Sequence, residues 1–292
     1  MARDATTQIG YADAIIETVL DGAIANMRAR SSASKSPWLL GLSGLQGSGK
    51  STLAYQLAAR ADTLGIAVQI LALDDFYLSH RARADLARSI HPLLATRGVP
   101  GTHDIGLLMR TLRDLAHASE LKPVALPRFD KGRDTRLPPS RWRRVTKRPR
   151  LILLEGWCVG VPPQSARALV RPLNALERDE DCDGRWRRWV NTQLAGTYAN
   201  LWKKIDGLIL LQAPSFALVS KWRDEQECVL RRRHAPLAMD AAALARFLLH
   251  YERLSRHALR ELPAQADVRV ELRTDRSVRR LVCVEFPDAV AQ

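Results

Sequence analysis

The sequence has little of what would make it a disulfide scaffold, a metal cage or a membrane protein. Its four cysteines, Cys158, Cys182, Cys228 and Cys283, are far apart and include no CxxC pair. Neither a zinc site nor a disulfide framework is indicated, and a reduced, cytoplasmic chain is the simplest expectation. A long uninterrupted apolar run is also missing from the N-terminal region. YADAIIETVLDGAIANM carries Asp13, Glu17 and Asp21 among its apolar residues, which excludes a signal-peptide core or a bilayer span there. Its Ile16, Val19, Leu20, Ala23, Ile24 and Met27 recur instead on one face of a helix. There is no internal repeat and no low-complexity tract.

Positive charge is abundant: 45 Lys and Arg against 31 Asp and Glu, a formal net charge of +14. These basic residues are spread along the chain, not gathered in a dense tract, which argues against nucleic acid as the partner; the same field attracts small anionic substrates. With 292 residues, 46% of them hydrophobic, the chain is long enough for a sizeable core. The pattern predicts a strand over 38–43, a helix from Lys50, a strand over 68–73, a helix over 105–116, and buried strands beginning at Leu151 and Gly207. Strands that are apolar on both faces and alternate with helices predict an α/β three-layer sandwich with a mainly parallel central sheet. The tryptophans of GRWRRWVNTQLAGTYANLWKKID recur at helical spacing and read as core. Beyond Gln212 come a basic helix and DAAALARFLLHYERL, with Asp240 as N-cap; VRVEL and LVCVEF read as one or two closing strands. Residues 1–37 are expected to pack as a helix and linker on a domain spanning 38–292.

The stretch GLSGLQGSGKST, Gly41 to Thr52, is built for phosphate. Gly44, Gly49, Lys50 and Ser51 satisfy G-x-x-x-x-G-K-[ST] between a buried strand and a helix, the context that motif needs. Gln46, Gly47, Ser48 and Thr52 complete the cradle. Glycines let the backbone N–H groups turn inward around a β-phosphate, Lys50 bridges β- and γ-phosphates, and Ser51 ligates Mg²⁺. The loop thus predicts Mg·ATP but leaves motors, GTPases, ATPases and small-molecule kinases open.

Two strand ends narrow the choice. LALDDFYL puts Asp74 and Asp75 at the C-terminal end of the second strand, which opens on the same edge of a parallel sheet as the loop. A carboxylate there can accept the proton of an attacking hydroxyl. Glu155 ends LILLEGW at the same edge, where an acid after four apolar residues must face a cation or donors; it suits the metal, directly or through water.

Together these features resemble the small-molecule P-loop kinases related to uridine kinase, phosphoribulokinase and pantothenate kinase. Their strand-end D-x-F-[YH] is matched by Asp74, Asp75, Phe76 and Tyr77, and their E-G by Glu155 and Gly156. The resemblance implies that Asp74 is the base. Within that group the chain resembles the D-glycerate 3-kinase family and its bacterial predicted-kinase relatives, from about Trp38 to about Leu254. The segments RGVPGTHD (Arg97 to Asp104), FDKGRDTR (Phe129 to Arg136) and WRDEQE (Trp222 to Glu227) carry that likeness. It implies an ATP-dependent kinase with an acceptor-site insertion at about 78–148 and a lid at about 215–240.

D-Glycerate brings a carboxylate and two hydroxyls, so it calls for a cationic fork and polar groups that orient the reacting hydroxyl. Lys131, Arg133 and Arg136 are candidates for the positive side, Asp130 and Asp134 for orienting them, and Asp75, Tyr77, Arg97 and His103 for completing the pocket. Asp104 is either a pocket residue or the cap of the following helix. Arg223, with one of Arg231, Arg232 or Arg233, would close over the transferring phosphate. Pantothenate, a nucleoside or a sugar phosphate remain alternative acceptors, and a nucleic-acid-associated ATPase is the alternative from another class.

Overall fold

The structure, a computed structural model, describes residues 10–29, 36–232 and 239–283. In chain order its elements are α1 (Asp13–Ala29), β1 (Trp38–Gly44), α2 (Lys50–Thr63), β2 (Val68–Ala72), α3 (His80–Ser89), α4 (Ile105–Leu115), β3 (Val124–Leu126), β4 (Phe129–Asp130), β5 (Thr135–Arg136), β6 (Arg143–Val145), β7 (Leu151–Gly156), α5 (Ala175–Glu180), α6 (Arg185–Gln193), α7 (Ala199–Trp202), β8 (Gly207–Gln212), α8 (Ala217–Arg232), α9 (Ala241–Glu261), β9 (Val268–Leu272) and β10 (Val278–Cys283). No helix among the described residues is long and apolar enough to cross a membrane.

Six strands form one sheet in the order β10-β9-β8-β1-β7-β2, parallel throughout except for the antiparallel β10 at one edge. Alternation within each central strand feeds two cores. Leu40, Leu42, Leu151, Leu153, Ile209 and Leu211 point to the face covered by α1 and α2. Leu39, Ile152, Leu154, Leu208 and Leu210 point to the face covered by α4, α6 and the later half of α9. This two-sided burial explains the near-continuous apolar runs, and it gives the parallel three-layer fold that the sequence implies. On α1, Ile16, Val19, Leu20 and Ala23 are buried and Ile24 and Met27 partly so. Each fully buried side chain of this kind contributes about 1.5–3 kcal/mol.

Three local differences from the sequence reading matter for the site. β2 stops at Ala72, one residue short of the expected end, and Leu73–Phe76 form a 3₁₀ turn that holds Asp74 and Asp75 just past the strand. β2 is also an edge strand of the sheet, and its residues alternate between buried and half-buried. The apolar segment after Gly184 is not one regular helix: a π-helical turn, Leu194–Tyr198, separates α6 from α7. The extra residue of a π turn changes the phase of the helix, and here the turn carries Tyr198 to His103.

α9 is pinned to α5 by a buried pair. Arg253 donates to both Glu177 oxygens at 2.6 and 2.5 Å and to the carbonyls of Ala168 and Arg171, each at 2.8 Å. Glu177 is wholly buried. Removing one member of such a pair strands the other's charge. Glu177→Ala is therefore expected to lower unfolding stability by about 3–5 kcal/mol in urea titration; a change too small to measure would contradict the assignment.

Candidate active site

The turn between β1 and α2 forms an open cradle. Gly47 and Gly49 hold φ of 79° and 94°, a region that L side chains rarely adopt. A Cβ on Gly47 would lie 2.7 Å from that of Trp222, so α8 closes the loop from behind. Lys50 folds back into the hollow and donates to the carbonyls of Gly44 at 2.9 Å and Leu45 at 3.0 Å. Burial pulls its pKa down, and the nearby Glu155 and Asp74 carboxylates oppose that pull. Ser51 Oγ donates to Glu155 Oε1 at 2.8 Å. These two side chains thus offer adjacent oxygens that a hard cation could take, with phosphate and water supplying the rest. The amide of Gln46 has neither polar atom paired within the protein, which fits a loop shaped for a phosphate ligand.

Opposite the loop lies Asp74. Its Oδ2 accepts from Lys131 Nζ at 2.7 Å and its Oδ1 from the Tyr77 hydroxyl at 3.0 Å. Burial works to raise its pKa, but the charge and hydrogen bond of Lys131, helped by Tyr77, hold the carboxyl well below the usual range. Glu155 differs: burial raises its pKa, with Lys50 opposing. Asp75 accepts from the Phe129 N–H at 3.0 Å and lies 3.7 Å from Arg128, so it ties the insertion to the end of β2.

A cleft of about 1170 Å³ joins these groups, large enough for a nucleotide and a small acceptor together. It is lined by Gln46, Gly47, Gly49, Lys50, Ser51, Thr52 and Glu155 on one side, and by Asp74, Asp75, Tyr77, Arg97, Asp130 and Lys131 on the other, with Arg223 from α8. Gly44 and Ser48 shape the loop without lining the cleft.

Other candidates have different work. Arg133 is 74% exposed and reaches only Asp130, at 3.8 Å; its backbone N–H, like that of Gly132, is capped by Asp130 Oδ1. Arg136 donates to the Tyr77 carbonyl at 3.0 Å and to Asp104 at 3.3 Å, while Asp104 caps α4 through the Leu107 N–H. The expectation that Arg133 and Arg136 enter the pocket is therefore corrected, and of the two readings of Asp104 the helix cap is the one the structure shows. Arg133 is turned to solvent, and the other two build the wall behind Tyr77. Asp134, at φ 50°, bridges Arg97 and the fully buried Arg83. His103 is buried behind Tyr77 and stacked on it at 4.4 Å. The Tyr198 hydroxyl accepts from the Gly101 N–H at 3.0 Å and shares a hydrogen bond with His103 Nδ1 at 2.6 Å. Burial lowers the His103 pKa to about 4, with Asp74 opposing, so the ring is neutral. The side chains of Arg231 and Arg232, and all of Arg233, lie outside the described residues.

Several contributors carry no sequence pattern that would reveal them. Trp157 donates to the Gly98 carbonyl at 3.0 Å and the Tyr251 hydroxyl to that of Arg97 at 3.0 Å. A Cβ on Gly98 would lie 1.9 Å from the Tyr251 hydroxyl oxygen. The RGVPG segment is thus shaped by residues far away in the chain.

No family model matches the chain. It is 33% identical over 244 residues to the uncharacterized kinase mug58 of Schizosaccharomyces pombe, covering 81% of this chain and 86% of that protein. It is 30% identical over 203 residues to the chloroplastic D-glycerate 3-kinase of Arabidopsis thaliana, covering 67% of this chain and 42% of that protein. Its fold matches that of D-glycerate 3-kinase from Cryptococcus neoformans with a TM-score of 0.74 at 23% identity, over 92% of this chain and 99% of the other. Fold, loop and relatives define a nucleotide-using P-loop kinase acting on small molecules. The chain belongs to the kinase family that includes D-glycerate 3-kinase.

The Lys131–Asp74 pair sets a pH dependence. Lys131 keeps Asp74 ionised well below neutrality; without it, burial is the leading influence and the carboxyl takes up its proton at higher pH. With Asp74 as base, Lys131→Met is expected to move the acid limb of the kcat profile upward by about one to three pH units. A profile of unchanged shape, whatever its height, would contradict this.

Proposed function

We propose that the protein transfers the γ-phosphate of ATP to a primary hydroxyl of a small hydroxy acid, D-glycerate or a close relative. The observation that carries this reading is the position of Asp74, which shares one cleft with Lys50 and Glu155 and is kept ionised by Lys131. An ionised carboxylate facing a phosphate cradle suits a base for an incoming hydroxyl. Lys50 would leave the loop carbonyls for the phosphates, and Ser51 and Glu155 would hold Mg²⁺. When bound, that ion neutralises charge on the phosphate oxygens.

The acceptor side favours a small acid. Arg97 and Lys131 line the cleft with Arg128 and provide cationic groups for a carboxylate, while Asp130 offers an acceptor for a second hydroxyl. Asp74 and Lys131 are partly exposed, with side-chain exposures of 32% and 60%, so an acceptor can reach them directly. Arg223 is placed by its neighbour Trp222, which packs against Gly47 and donates to the Thr274 carbonyl at 2.9 Å. From there its guanidinium can meet the transferring phosphate and help exclude water.

A coupled ADP-release assay over a panel of acceptors tests this. D-Glycerate is expected to stimulate ADP release at least about tenfold over the acceptor-free rate, beyond what pantothenate, uridine or a sugar phosphate achieves; a factor of ten corresponds to only about 1.4 kcal/mol of barrier. No stimulation by glycerate alongside stimulation by another acceptor would overturn the glycerate assignment.

A further inference from the structure

The phosphate loop is also held from the side away from the cleft, by a residue preceding α1. Tyr11 is clamped through its main chain to the second turn of α2. Its N–H donates to Gln56 Oε1 at 2.8 Å, and Gln56 Nε2 donates to its carbonyl at 3.1 Å. The clamp leaves the side chain to do something else. The ring is 8% exposed, and its hydroxyl donates to the Ser48 carbonyl at 3.1 Å. Gly49 fits closely beneath it, since a Cβ there would lie 2.8 Å from the hydroxyl oxygen.

This contact acts on one peptide unit. The described chain contains no cis peptide bond, and in a trans peptide the C=O and the following N–H point in opposite directions. Gly49 lines the cleft, whereas Ser48 and Tyr11 do not. A Ser48 carbonyl drawn outward to Tyr11 therefore turns the Gly49 N–H toward the cleft. The loop cannot guarantee that orientation alone, because its glycines tolerate backbone conformations of either sign. The flipped peptide would present a carbonyl oxygen to an anion. Burial also pushes the Tyr11 pKa far up, with Arg276 opposing, so the phenol keeps its proton and remains a donor.

We propose that Tyr11 is a positioning residue for nucleotide binding: its hydroxyl fixes the Ser48–Gly49 peptide so that the Gly49 N–H faces the phosphates. The inference rests on ATP occupying the loop, as in the reading above, and is independent of which acceptor takes the phosphate. The alternative is that Tyr11 only fastens the N-terminal segment to the core.

Tyr11→Phe separates the two, because it keeps the ring and the Gln56 clamp and removes one oxygen. By calorimetry, the Kd values for ATP and ADP are expected to rise about three- to tenfold, the range of one lost hydrogen bond. KM for ATP should rise in step while kcat stays within about twofold and adenosine affinity stays unchanged. Gln56→Ala, which releases the Tyr11 main chain, is expected to weaken ATP relative to adenosine in the same sense. Wild-type ATP affinity in Tyr11→Phe, or equal loss for ATP and adenosine, would overturn the proposal. Failure of the unaltered protein to bind ATP would overturn the kinase reading too, so the two failures can be told apart.

Discussion

Strands β1, β7 and β2 lie side by side, parallel and in register, with Glu155 level with Leu42 on one neighbour and Ala72 on the other. The rest of the site depends on that register. Because the strands run the same way and end together, the loop after β1, the acid closing β7 and the 3₁₀ turn after β2 must all open on one edge. Lys50, Glu155 and Asp74 meet there although they are distant in sequence. A parallel sheet permits this only if both faces are covered. Two cores do so, one built on α1 and α2 and the other on α4, α6 and α9.

The convergence creates an electrostatic problem that the cleft resolves by pairing. Lys50 and Glu155 are both half-buried, and each favours the other's charged form. Asp74 would be raised by burial as well, but Lys131 arrives from the β4–β5 turn and outweighs it. The insertion that supplies Lys131 has its own framework: Asp134 joins Arg83 to Arg97, Asp75 holds the Phe129 N–H, and Asp104 holds Arg136. Each arginine so engaged fixes the loop's shape, and Arg97 also faces the cleft. The chain thus divides its basic residues between frame and site.

The layered fold and the donor half of the site were legible in the sequence because their signals are local. Apolar runs of strand length report a buried parallel sheet, and the loop's glycines, Lys50 and Ser51 sit at a spacing set by backbone geometry. Asp74 and Glu155 could be read because each follows an apolar run at a strand end. The acceptor half was less legible. Arg133 and Arg136 look alike in FDKGRDTR, yet the short β4–β5 ribbon turns Arg133 to solvent and Arg136 to Asp104. Tyr198 could not be assigned because a π turn changes the helix phase just where it lies. Tyr11 and Tyr251 act across long sequence separations through single hydroxyls, and no periodicity marks such contacts.

The central claim is that Asp74 gives the phosphate loop its direction, turning a nucleotide site into a transferase. Its most direct test is Asp74→Asn, an isosteric change that removes the base and keeps the side chain's size, measured by single-turnover γ-phosphate transfer from ATP alongside ATP binding by calorimetry. The account predicts that transfer to the acceptor falls by about 10²–10⁴-fold while ATP affinity stays within about threefold, since the donor half is assembled from β1, α2 and β7. Transfer at the unaltered rate in the variant would contradict it.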